Sequence, residues 1–381
     1  MKVTQIYEIM NSTMKEILGQ ETVVQEDLTN IVDLGKEVIN SDNVDNYVKK
    51  LVNHIGKVVF NNRLYKGGVP SVMVDSWEFG SILEKVSTEM PEATESDTWK
   101  LIDGQEYSPD VFYQPKVSAK FFNSMVTFEV PMSFTERQVK ESFSNVNQLN
   151  GFISMLQTSV ENSLTVKIEN LVMKTMNNMI GETIGSVITD EVVTDVKAVN
   201  LLHNYNAETG KTLTPEQAVK NPEFIKYASY VIGLYKDRLS KISTLFNVGG
   251  TQKFTPESEL HTVLLSDFAQ AAKVYLDSEV ANQENVQLPT YETVPYWQGS
   301  GREFEFEEVS KIHVKTSSGK VVEQTGILGV MFDTNALGVS NLDSRVTTNY
   351  NPKAEFYNNF YKLDAGYYND LNENFVVFFV K

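Results

Sequence analysis

The segment from Ser133 to Ile180 constrains this chain more than any other. It contains no proline, and Val139, Phe143, Val146, Leu149, Ile153, Leu156, Val160, Leu164, Ile168, Leu171 and Met176 recur at helical steps. Ser133-Phe134-Thr135-Glu136 has the form of a capping box, with Pro131 just ahead of it and Gly181 placed as a stop. An unbroken helix there has about 47 residues and a length of about 70 Å. The mean globular helix has only about 11–12 residues. A coiled coil explains such a length, but sustained heptads are missing and Gly151 sits mid-stripe. The other explanation is a rigid spine crossing a flat, extended domain.

Residues 1–71 read as short helices with narrow apolar stripes. The stripes run through Ile6, Ile9, Met10 and Met14, then Leu28, Ile31, Leu34 and Val38, then Tyr47, Leu51, His54 and Val58. Helices of this kind are stable mainly when docked on something else. Lys66-Gly67-Gly68-Val69-Pro70 is a turn signal that makes Gly67 and Gly68 candidate hinges. Gly151 is a third, because glycine weakens a helix by roughly 1 kcal/mol.

Residues 72–132 change character. Asp75 to Asp110 holds ten acidic residues and two lysines, and its flanks Val72–Phe79 and Val117–Val130 are β-branched, aromatic and roughly alternating. Two long strands around an irregular acidic segment are expected. Such an excursion is usually a functional arm or a domain of its own.

Residues 185–345 read as mixed helix and strand. Asn221-Pro222 looks like a cap followed by proline at the first helical position, opening a helix that runs to Leu245 and stops at Val248-Gly249-Gly250. Leu260–Leu265 is an expected strand feeding a helix capped by Ser266-Asp267. Further strands are expected over Phe304–Val314 and Gly326–Phe332, with a turn at Ser317-Ser318-Gly319 leading to Val321-Val322. In residues 346–381 the run Phe375–Val380 reads as a strand buried on both faces. The fold class is therefore α+β.

Chemistry is sparse. The chain has no cysteine, which excludes disulfides, thiolate metal sites and cysteine nucleophiles. His54, His203, His261 and His313 are scattered, and no HExxH, GxSxG or GxxxxGK[ST] is present. Gly299-Ser300-Gly301-Arg302 lacks the strand-then-helix setting of a phosphate loop, and Met173, Met176 and Met179 read as core packing. The acidic run has no calcium-loop pattern and reads as a solvated face. Catalytic, cofactor and metal residues are thus expected to be none. The formal charge of −17 makes the chain repel nucleic acid on average. No apolar stretch approaches the roughly 20 residues of a membrane helix, and the N-terminus lacks a secretory pattern.

Element order then becomes informative: docked arm, long β-excursion, very long helix, α/β region, buried terminal strand. This order resembles the capsid fold of tailed-bacteriophage major capsid proteins, often called the Johnson fold. The likeness is greatest to those of small, short-tailed phages of Gram-positive hosts. Three segments carry it: Leu260–Ala272, Gly326–Gly338 and Thr347–Tyr361 with the tail to Lys381. The resemblance implies a helical N-terminal arm (1–71), an extended loop (72–132), a spine helix (133–184), an axial domain with part of the peripheral sheet (185–345) and a returning strand (346–381). It implies a non-enzymatic shell subunit of the virion. Its partners are many copies of itself in hexamers and pentamers, a separate scaffolding protein, a portal, and packaged DNA held only non-specifically. A start at Met1 is expected to mean no scaffolding segment that is cut away, and an end at the core strand leaves no room for an added C-terminal domain. The Lys–Asn cross-link of some relatives is not carried over. Two other readings stand beside this one: an encapsulin-like nanocompartment shell, distinguished by its cargo, and a paired-carboxylate hydrolase, distinguished by a deep pocket with convergent acids. A fibre built on the long helix fits less well.

Overall fold

The computed structural model describes Asn11 and residues 69–74, 82–88, 90–107, 110, 112–135, 146–277, 288–299 and 305–381. In chain order the elements are β1 (Leu83–Thr88), β2 (Val117–Phe122), β3 (Met125–Thr135), α1 (Val146–Val187), β4 (Ala198–Asn200), α2 (Leu201–Thr209), α3 (Pro215–Ala218), α4 (Pro222–Leu239), β5 (Leu260–Leu265), α5 (Ser266–Asp277), β6 (Glu292–Val294) and α6 (Phe306–Val309). The remaining strands are β7 (Ile312–Lys315), β8 (Val321–Gln324), β9 (Ile327–Asp333), β10 (Leu337–Asn351), β11 (Phe356–Asn369) and β12 (Phe375–Phe379). The described residues fall into two compact units. One lies within Met1–Glu78, Met125–Thr175 and Gly338–Tyr367, the other within Phe79–Ser124, Met176–Leu337 and Tyr368–Lys381.

The first unit carries a three-stranded sheet in the order β10-β11-β3, with β3 antiparallel to β11. Here the capping box expected at Ser133 is overturned. Val126, Phe128, Val130, Met132 and Phe134 alternate inward along β3, and Ser133 pairs with Asn358 and donates its hydroxyl to that side chain. A cap contributes about 1 kcal/mol, less than an eleven-residue ladder with a buried face. Pro131 is tolerated because β3 is an edge strand. The described helix therefore begins at Val146, and residues 136–145 lie outside the described residues. The excursion strands are also reassigned. Pro70–Val72 is a 3-10 turn, Met73 bridges to Val339, and the run Val117–Val130 is split at Asn123-Ser124 into β2 and β3.

α1 has 42 residues, and Val160, Leu164, Ile168, Leu171, Met176 and Met179 on it are buried. The methionines at 176 and 179 are wholly enclosed. Gly181 does not end the helix. A Cβ there would fall 2.2 Å from Val314 Cγ2, so the missing side chain lets the β7–β8 hairpin lie directly on α1.

The second unit is built on a five-stranded mixed sheet, β4-β12-β9-β5-β6. β12 lies antiparallel to β9 and parallel to β4, and all five of its residues are buried. The helices α2, α4 and α5 pack on this sheet through Leu201, Tyr205, Phe224, Ile232, Phe268 and their neighbours, and Tyr235 meets Phe378 edge-on at 5.2 Å. Asn221 caps α4 as its sequence indicates, accepting from the amides of Glu223 and Phe224. α4 nonetheless stops at Leu239, six residues short of expectation. Thr255 N donates to the Leu239 carbonyl at 2.8 Å, and Ser243 N, which would have continued the ladder, donates to Lys253 O at 2.9 Å. Ser266 is the first residue of α5 and its hydroxyl donates to Val294 O at 3.0 Å, tying α5 to β6. The expected strand from Phe304 begins only at Ile312, after the helical turn α6.

Gly326 precedes β9 with φ of +76°, and a Cβ there would fall 2.0 Å from the Val380 carbonyl oxygen. Gly326→Ala is expected to lower stability by at least about 2 kcal/mol, from the left-handed backbone and the collision with a backbone atom. A denaturant titration of the purified subunit checks this.

Candidate assembly surface

The segment Phe79–Ser124 belongs to the second unit and contains the antiparallel pair β1–β2, in register from Leu83↔Phe122 to Thr88↔Val117. A lone two-stranded hairpin is marginal in water. This one is tied down at its root. Lys85 on β1 reaches Asp370 Oδ2 at 2.8 Å and Glu373 Oε1 at 2.6 Å, and Lys120 on β2 reaches Asp370 Oδ1 at 2.8 Å. Lys253 closes on Glu373 at 2.9 Å. Lys85 also donates to the Asn335 carbonyl, and the Phe122 ring packs on Tyr368 at 5.1 Å.

The two carboxylates belong to the turn between β11 and β12. That turn is fixed by Asn372 N donating to Asp370 Oδ1 at 3.1 Å and by Glu373 N donating to the Asp370 carbonyl. The side chain of Asp370 is 2 % exposed. Burial pushes its carboxyl up, but hydrogen bonds from Lys120 and Lys85 more than offset this and hold it below the ordinary carboxylate value. Burial, reinforced by the charges of Asp370 and Glu373, pushes the neighbouring Tyr368 phenol up to about 12. The phenol therefore stays neutral beside the cluster.

Beyond Thr88 and Val117 the segment does the opposite of burying itself. Trp99 is 95 % exposed and Phe112 is 85 % exposed, and Leu101, Ile102 and Tyr113 stand in water with them. Local order is modest: Gly104 turns the chain with φ of +82°, Gln105 N donates to Ile102 O, and Ile102 N donates to the Tyr107 hydroxyl. Large apolar side chains gathered on one exposed segment mark an interaction surface. On β1 and β2, Val86, Val117 and Phe121 add to it.

The residues singled out for chemistry do not converge. His203, His261 and His313 lie on separate elements. His261 Nε2 meets the Thr334 hydroxyl at 2.9 Å, and His313 stands exposed 3.7 Å from Glu323. His54 lies outside the described residues, as do the candidate hinges Gly67 and Gly68. Gly151 falls inside α1 with helical backbone. Among the described residues no group of three His, Cys, Asp or Glu is placed to hold a metal ion, and no helix is long and apolar enough to cross a membrane. A groove of about 360 Å3 is lined by Ile184, Asp190, Lys320 and Glu323. Glu323 is engaged by Lys311 at 2.8 Å, and that hydrogen bond holds its carboxyl below the ordinary value. The cluster of Lys85, Lys120, Lys253, Asp370 and Glu373 had no sequence signal, since its members come from three distant segments.

The model of the Phi29-like phage major capsid protein family matches residues 10–379. Among solved structures, the chain is similar to the capsid of Staphylococcus phage Andhra, with 10% identity, 84% of this chain and 86% of that chain covered, and a TM-score of 0.51. The capsid of the cyanophage P-SCSP1u aligns with 10% identity over 84% of this chain and 88% of that chain, with a TM-score of 0.46. A search of curated protein sequences returned no match. The Andhra likeness shows a shared fold, and the family match runs nearly end to end: the chain belongs to the Phi29-like phage major capsid proteins and is a shell protein of the virion.

Proposed function

We propose that this capsid protein assembles head-to-tail with copies of itself into hexamers and pentamers of an icosahedral head around double-stranded DNA, and that it catalyses nothing. The observation that carries this reading is the excursion between β1 and β2. Its root is clamped by buried charge, while its far part exposes Trp99, Phe112 and Tyr113. A rigid root with an apolar far end suits a part that reaches onto a neighbour. The family match favours a phage head over a nanocompartment holding enzyme cargo. In this reading residues 1–71 are an arm over neighbours, residues 72–132 the extended loop, residues 133–184 the spine, residues 185–345 the region converging at ring centres, and residues 346–381 the returning strand. Gly67, Gly68 and Gly151 take up the difference between five-fold and six-fold rings. A separate scaffolding protein and a portal act during assembly, and the acidic subunit touches DNA only non-specifically.

The purified chain, alone or co-expressed with its scaffold, is expected to sediment as rings or shells that are visible by negative-stain electron microscopy. A strictly monomeric profile at high concentration, with the scaffold present, overturns the reading. Gly151→Ala is expected to stiffen α1 by roughly 1 kcal/mol and to shift the particle population toward one ring type. Particle classes counted in micrographs check this.

A further inference from the structure

The loop from Ser240 to Thr255 is built with unusual care for a surface segment. Its ends are joined by Thr255 N donating to Leu239 O, and its middle by reciprocal backbone bonds between Ser243 and Lys253 at 2.9 and 3.0 Å. Asn247, 1 % exposed, pins the tip through Thr251 N and Thr251 O. Gly249 N donates to Leu371 O, Thr251 donates to Asn372 O, and Phe246 is buried against Tyr235. A loop anchored this thoroughly nevertheless holds Ile242, Leu245 and Phe254 more than half exposed. The interior residues are spent on rigidity, and the rim is left apolar.

The charge around this rim runs against the rest of the chain. Residues 236–254 carry four cations, Lys236, Arg238, Lys241 and Lys253, and one acid, Asp237, in a protein of formal charge −17; Lys236 is paired with Glu257 and Lys253 with Glu373, which leaves Arg238 and Lys241 to face a partner. Arg238 and Lys241 are exposed. The far part of the excursion is its complement: between residues 90 and 113 it carries Glu92, Glu95, Asp97, Asp103, Glu106 and Asp110 against Lys100 alone, interleaved with the exposed Trp99 and Phe112. In a single copy both surfaces stand in water. We propose that the excursion of one copy docks its acidic, aromatic face on the Ser240–Thr255 loop of a second copy. The inference rests on the self-assembly reading and names the counter-surface within it.

Two different surfaces that fit each other give a heterologous contact, which propagates from copy to copy, into a ring where the rotation closes, rather than stopping at a dimer. The placement of Lys253 links one contact to the next. Its backbone closes the loop through Ser243, its neighbour Phe254 lies on the rim, and its ammonium group grips Glu373 at the root of its own chain's excursion. Each docking loop thus shares a residue with the clamp that aims the following excursion. Exposed aromatic anchors supply the contact area, and opposite charges steer the encounter and exclude the wrong face.

The chain has no cysteine, so introduced thiols report cleanly. Trp99→Cys and Phe254→Cys chains are mixed, assembled, and treated with a short bis-maleimide. The expected product is a dimer linking position 99 of one chain to position 254 of another, and a chain carrying both changes should give a ladder up to the ring size. Normal particles without this link, or links only between two Trp99→Cys chains, would overturn the inference and leave the self-assembly reading intact. Wild-type chains that form no particles would overturn both. In a second arm, Arg238→Glu with Lys241→Glu should cut particle yield at least tenfold, and Glu95→Lys with Asp97→Lys in the same chain should restore it. Arg238 and Lys241 are exposed, so the reversed chain is expected to remain folded. A reversed chain that assembles at wild-type yield would count decisively against the proposal.

Discussion

Replacing residues 89–116 with Asn-Gly, so that a two-residue turn joins Thr88 to Val117, is expected to give a folded subunit that forms no shells. Thr88 and Val117 are the last pair of the β1–β2 register, the position where a two-residue turn closes a hairpin with the right twist. The shortened chain keeps Lys85, Lys120 and Phe122, and with them the clamp on Asp370 and the packing on Tyr368. It loses Trp99, Leu101, Ile102, Phe112 and Tyr113, which are exposed in the subunit and so contribute little to its own stability. The denaturant midpoint should therefore hold while particles vanish from electron micrographs. Shells of normal appearance from this variant would show that the excursion is not an assembly element.

The second large effect belongs to the clamp. Asp370→Ala leaves Lys85 with Glu373 alone, takes from Lys120 its carboxylate partner, and removes the acceptor that fixes the turn at Asn372. Breaking a buried charge pair costs about 3–5 kcal/mol. The lysines here are 22 % and 38 % exposed and can turn toward water, so the lower end, about 3 kcal/mol, is expected. The cost should appear as a lower unfolding midpoint and as faster amide exchange confined first to β1 and β2. The pH dependence has a definite sign. The folded carboxyl is held below its ordinary value, so the contribution of Asp370 is complete above about pH 4 and is lost as pH falls through the lowered folded value. Acid should erase the difference between wild type and variant, and unchanged stability of the variant at neutral pH would show that the clamp contributes nothing.

Much of this architecture was written in local patterns. The stripe through Val160, Leu164, Ile168 and Met176 marked the long helix, Asn221-Pro222 marked the start of α4, and Phe375–Val380 marked an enclosed strand. Misreadings came where a distant partner outbid a local signal. Ser133 carries a good cap sequence, yet β11, more than two hundred residues away in sequence, recruits it into a ladder. The α4 ladder stops because Lys253 and Thr255 take the groups that would continue it. The clamp was invisible for the same reason: five charged residues in a chain rich in charge reveal nothing until the fold brings them together. The excursion between the flanking strands reads in sequence only as an acidic, solvated run, and it is burial that shows Trp99, Phe112 and Tyr113 left uncovered in one copy.

The place of β12 in its sheet sets a timetable for the subunit. β4 and β9 both border a strand that residues 375–379 supply, so neither has that neighbour while those residues are unmade. The same late stretch brings Asp370 and Glu373, which hold the excursion at its root. A ribosome adding about 5–20 residues per second thus needs several seconds after β6 before the sheet can close and the excursion can be aimed. During that interval the exposed aromatic segment is present without the two carboxylates that hold its root. A chain whose translation has not passed this strand lacks both the neighbour that joins β4 to β9 and the carboxylates that hold the excursion.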